Sequence, residues 1–126
     1  MTPIPPERVE ETEDEDDRGV ATPLAITMLA AMFATILFGV QLGATVLTRH
    51  RAEGAADLAA LAAAGHWAAG ETAACARARR ITDRMAVQLT QCRTTGVDAV
   101  IEVRCDVTGP LPYTGIVTAS ARAGWR

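Results

Sequence analysis

From Gly19 to Thr48 the chain carries no ionisable side chain. The main part of that stretch, VATPLAITMLAAMFATILFGVQLGATVL from Val20 to Leu47, runs apolar for twenty-eight residues. As a helix it extends roughly 42 Å, against about 30 Å of bilayer hydrocarbon. In a chain of 126 residues, what remains allows at most one small domain. The sequence therefore predicts a transmembrane helix over 20–48. Thr22 before Pro23 suits its start, because a hydroxyl can cap free N–H groups and proline at the first helical position forfeits no internal bond. A cleavable secretory signal is the competing reading. It fits less well, since the flank is acidic and the apolar run is about twice the usual length of a signal core.

Charge is divided sharply across this run. Residues 1–18 hold two arginines against eight acids, and residues 49–126 hold ten arginines against seven acids. The stretch EETEDEDD, Glu10 to Asp17, has too few apolar groups to fold alone, so 1–19 reads as a disordered acidic leader. Orientation does not follow from charge, because Arg8 and Arg18 oppose Arg49 and Arg51 across the span.

Within the span, Gly39 and Gly43 form a small-xxx-small pair that would let another helix approach closely. Gln41 is expected near the outer boundary of the bilayer, where its amide costs little. Past the span the helix should continue, with Arg49, Glu53 and Asp57 making a polar stripe at four-residue spacing. Thirteen of the twenty-five residues from Ala52 to Ala76 are alanine. Such a segment is strongly helical but offers little bulk, so something larger must cover it. Ala52, Ala55, Ala56, Ala59 and Ala63 share one face, expected to pack against a neighbouring helix. Leu58 and Leu61 point elsewhere, and are expected on the chain's own sheet.

After Gly65 and Gly70, residues Glu71 to Leu89 read as a second helix with Ala74, Ala78, Ile81, Met85 and Leu89 on one face. Arg77, Arg79, Arg80 and Arg84 occupy the remainder and read as a solvated face rather than a nucleic-acid patch. Leu89–Arg93 and Ala99–Val107 read as a hairpin turning near Gly96, and Ile116–Ala123 as a third alternating strand after the loop GPLPYTG. The fold class is α+β: an N-terminal transmembrane helix extended outside the membrane, a second helix and a small antiparallel sheet.

Three cysteines allow three pairings. A hairpin centred at Gly96 sets opposing residues whose numbers sum to about 191–193, whereas Cys92 and Cys105 sum to 197. Cys75 with Cys92 is therefore the expected bridge, with Cys105 a small apolar residue on the inner strand face. Fully reduced cysteines are the alternative. A bridge would place 49–126 in an extracytoplasmic compartment. No cofactor, metal site or catalytic residue is indicated: His50 and His66 stand in no metal spacing, no nucleophile motif surrounds a cysteine, and phosphate loops are absent.

The stretches DRGVATPLAI, the long apolar run, RHRAEGAADLAALAAA, ACARARR and TQCR together resemble TadE-like pseudopilins of Tad pilus and type IV pilin-like secretion systems, especially the actinobacterial TadE-like group. The resemblance covers about residues 17–93. It implies a helix that anchors the subunit in the membrane before assembly, and a prepilin peptidase that cuts after a glycine at the cytoplasmic edge, here between Gly19 and Val20. Many pilins carry glutamate five residues after the cut, and this chain departs from that pattern with Leu24. The implied partners are the lipid bilayer, other pilin-like subunits and secretion machinery. The implied role is a minor pilin or pseudopilin, a structural component and not an enzyme. The alternatives are a signal-anchored envelope protein that binds another partner, and a DNA-uptake pseudopilin using the arginine-bearing helix.

Overall fold

The computed structural model describes residues 2–3, 11–111 and 115–125, with backbone alone for 11–18. Tertiary contacts divide the chain into two units, Met1–Gly39 and Val40–Arg126.

In the first unit the backbone belongs to helix α1, which spans Glu11–Ala64. Thr22 does not start it: Pro23 lies inside the helix. The acidic stretch expected to be disordered is helical in its backbone from Glu11, while residues 4–10 lie outside the described residues. Glutamate is a good helix former. Every large apolar side chain from Val20 to Phe38 is exposed. The hydroxyls of Thr27 and Thr35 donate to the carbonyls of Leu24 and Met32, each at 2.8 Å, which satisfies them without solvent. This helix is long and apolar enough to cross a membrane and fits a single-pass anchor.

The second unit starts with the rest of α1. Gly65 N–H returns to the Leu61 carbonyl at 2.9 Å, and His66 Nδ1–H donates to the Ala62 carbonyl at 2.9 Å, closing the helix end. A short 3-10 turn, Trp67–Ala69, leads into α2, Glu71–Arg84. That helix ends before Leu89, because Ala86 adopts a φ of 54° and Val87 N–H turns back to the Thr82 carbonyl. Three strands follow, β1 Gln88–Thr95, β2 Asp98–Asp106 and β3 Ile116–Ala123, forming an antiparallel sheet in the order β1-β2-β3. A two-residue turn with Gly96 at φ 62° joins β1 and β2 and places Thr95 opposite Asp98, a left-handed position that glycine fills without strain. The register shifts once, between Leu89 and Gln91.

The core of this unit is built largely from methyl groups. Ala52, Ala55, Ala56, Ala59 and Ala63 of α1 and Ala74 and Ala78 of α2 have no exposed surface, and they cluster with Val87, Ala99, Ile101, Val103 and Cys105. Ile101 and Val103 of the central strand are the largest fully buried apolar side chains. Thr82 is fully buried as well, and its hydroxyl donates to the Arg79 carbonyl at 3.0 Å. Small residues on the helices and larger ones on the sheet share this core, and the closest approach of helix to strand is that of α2 to β1.

Candidate assembly surface

The structure reverses the expected roles of the two faces of α1. The alanine face is not offered to a neighbouring helix, because Ala52, Ala55, Ala56, Ala59 and Ala63 are wholly covered within the chain's own core. Leu58 and Leu61 do not pack on the sheet: they are 51% and 62% exposed. The small side chains share a core with the sheet instead. Bulk therefore sits outside, where a leucine offers far more contact area than an alanine.

The outward face is apolar except at Arg51, which is exposed in the same row between Leu47 and Leu58. Val40, Gly43, Leu47, Gly54, Leu58 and Leu61 recur at spacings of three, four and seven, which at 3.6 residues per turn puts them within about 40° of one direction. All but Gly54, which is half-buried, are exposed. Trp67 follows in the 3-10 turn and is also exposed. Arg49 and Glu53 form an exposed ion pair at 2.9 Å on the same helix, close to the polar stripe read from sequence. Gly39 and Gly43 have open space around them, with nothing within 4 Å of a Cβ built at either position.

Gln41 has a partner that its interfacial reading lacked. Its Oε1 accepts from Leu111 N–H at 3.4 Å, and a Cβ at Gly109 would collide with its amide. The loop after β2 thus seats against α1 at Gln41, and a side chain at Gly109 would displace the flexible end of the Gln41 side chain. Ala44 and Thr48 are half-buried one and two turns further on. Of the apolar run, Val20 to Val40 carries no such cover, and these twenty-one residues extend roughly 32 Å, close to the thickness of bilayer hydrocarbon. Tyr113, in the same loop, lies outside the described residues.

Two links hold α2 to β1. Cys75 and Cys92 form a disulfide with their Cα atoms 5.9 Å apart, and Cys105 is a free, buried thiol. Near the start of α2 the Glu71 carboxylate accepts from both the N–H and the hydroxyl of Thr94. These bonds, and to a lesser degree the nearby charge of Arg93, hold its carboxyl below the ordinary range. Sequence reading missed this link, because nothing local connects positions 71 and 94 until the hairpin register is known. Among the described residues, no group of three metal-ligating side chains occurs, and Arg77, Arg79, Arg80 and Arg84 lie exposed without ion-pair partners.

A helix long and apolar enough to cross a membrane continues into an α+β unit, where one face lies in the core and another is open, an arrangement that fits a single-pass anchor. Residues 19–69 match the family described as "Putative Flp pilus-assembly TadE/G-like", in keeping with the resemblance to TadE-like proteins. The match supports a pilus-related component, and the family suggests a structural rather than an enzymatic one. The chain is also similar to a protein named "Apoptosis inhibitor Rv3654c" from Mycobacterium tuberculosis, 49% identical over 55 residues that make up 44% of this chain and 66% of that protein. No solved structure gives a significant match.

Proposed function

We propose that the chain is a minor pilin or pseudopilin of a Tad-like pilus or secretion apparatus, anchored by Val20–Val40 with its leader in the cytoplasm and the unit from Arg49 onward outside the cell membrane. The observation that carries this reading is the two-faced α1: alanines committed to the chain's own core and exposed Leu47, Leu58 and Leu61 on another face, inside the segment that matches a pilus-assembly family. The disulfide supports an oxidising compartment for the outer unit. The exposed row from Leu47 to Leu61, with Gly39 and Gly43 below it, is where the helix of another pilin-like subunit would lie.

Processing by a prepilin peptidase between Gly19 and Val20 is part of the same proposal, and Pro23 supplies a physical reason for it. Proline has no N–H, so the carbonyl four residues back, that of Gly19, has no helical donor. The bond to be cut is then the one whose carbonyl the helix leaves unsatisfied. After cleavage Pro23 would stand in the first turn, where no N–H is needed and the cost of about 3 kcal/mol for an interior proline disappears.

Two measurements on membrane-embedded chain test the reading. Protease added to intact spheroplasts should digest the unit after Arg49 and spare the leader, and a photo-crosslinker at Leu61 should join the chain to other pilin-like subunits. Protection of the C-terminus would reverse the topology. A crosslinker at Leu61 that found only lipid or solvent would leave the signal-anchored envelope protein as the better description.

A further inference from the structure

In an antiparallel sheet, successive residues turn their N–H and C=O alternately toward one neighbouring strand and away from it. Val107 N–H donates to the Gly115 carbonyl at 2.8 Å. Those two residues continue the register in which Asp106 lies opposite Ile116 and Ala99 opposite Ala123. That bond sets the parity of β3: Val117, Ala119 and Ala121 address β2, while Ile116, Thr118, Ser120 and Arg122 turn their backbone groups outward. The other side of the sheet gives an independent check. If Ala99 addresses β3, then Thr94, which lies opposite it, must point its N–H away from the sheet. It does so, and donates to Glu71.

The two edges are finished differently. Along β1 the outward N–H of Thr94 is taken by Glu71, and α2 is bridged to the strand through Cys75 and Cys92. Along β3, among the described residues, no hydrogen bond reaches the outward backbone groups. The strand has eight residues, no proline, no bulge and one charge, Arg122, which Asp98 holds. Among the described residues, β3 thus lacks the proline, bulge or covering element that discourages strand pairing. Val117, Ala119, Ala121 and Ala123 pack at the rim of the core and are only half-buried, so the apolar inner row of the sheet remains open beyond β3.

We infer that the free edge of β3 is a strand-addition surface for an extended segment of another pilin-like subunit, an inference that rests on the assembly role proposed above. A row of unpaired N–H and C=O groups fits extended backbone, and the half-open inner row asks for small or β-branched apolar residues at alternate positions of the incoming strand. Antiparallel pairing of β3 with β3 of a second copy is the competing occupant, and the chain alone in micelles tests it.

Amide hydrogen exchange on the full chain tests this, comparing the native membrane assembly with the chain alone in detergent micelles. The amides of Thr118, Ser120 and Arg122 should exchange at least roughly tenfold more slowly in the assembly. Equal rates would overturn the inference, and so would equal protection in concentrated micelles of the chain alone, which would assign the edge to self-pairing. Thr118→Pro removes an N–H that β2 does not use, so the Cys75–Cys92 bridge should form while incorporation into the assembly falls; undiminished incorporation also overturns it. Should that variant fail to fold, the exchange comparison decides alone. Crosslinks from Leu61 to pilin-like subunits would persist if only the strand edge were misassigned, and would vanish if the assembly role itself were wrong.

Discussion

The carboxylate of Glu71 bridges to Thr94 across the gap between α2 and the edge of β1, accepting from the backbone N–H and from the hydroxyl at 3.1 Å each. Hydrogen bonds to the charged form lower the folded-state pKa relative to the unfolded one. The contribution is therefore fully present above the unfolded value, about 4.3 for glutamate, and is lost as pH falls through the lower folded value. The thermal midpoint of the α+β unit should drop in acid partly for this reason. Glu71→Gln should flatten that part of the profile and speed exchange at the Thr94 amide. A variant with the same acid limb as the parent would refute the link.

Substitutions on α1 should separate the two faces. Ala56→Leu forces three extra carbons into a site with no free surface and should destabilise the outer unit by about 1–3 kcal/mol in denaturant unfolding. Leu61→Ala should change that stability by no more than about 0.5 kcal/mol, yet reduce crosslinking to partner subunits. A large loss of stability in Leu61→Ala would mean that the leucine is a core residue after all.

The disulfide joins residues seventeen positions apart. Closing a loop of that size should contribute about 3 kcal/mol, so Cys75→Ser or Cys92→Ser should lower the unfolding free energy by about that amount. Cys105 should stay unreactive toward iodoacetamide in the folded chain and react once it unfolds, because it is buried. Peptide mapping without reductant that found Cys105 in the main crosslink would contradict the hairpin register as well as the pairing.

Pro23→Ala would restore a helical donor to the Gly19 carbonyl. If an unsatisfied carbonyl aids cleavage, the variant should accumulate as the longer, unprocessed form on immunoblots of pulse-labelled cells. Processing at the parental rate would remove Pro23 from the account without touching the site itself.

The hairpin and the cysteine pairing were legible because Gly96 fixes a turn and the turn sets the pairs next to it: Cys92 lies opposite Ile101, away from Cys105. The strands were legible because Ile101, Val103 and Cys105 alternate with polar residues. The helix was legible as a helix but not as to which way it faces. Periodicity says that Ala52, Ala56 and Ala59 share a side and that Leu58 and Leu61 share another. When both sides are apolar, it does not say which one the sheet selects. Bulk argued for burying the leucines, and the core took the alanines. Gln41 and Leu111, seventy residues apart in sequence, carry no local signal of their contact.

An interior lined with methyl groups has a directional consequence. Turning α1 by one residue's step would drive Leu58 or Leu61 into a space sized for alanine, so the helix can sit against the sheet at a single azimuth. The order of letters in AADLAALAAA thereby fixes the compass bearing along which any second helix must arrive, as a keyway fixes the angle at which a shaft accepts its gear.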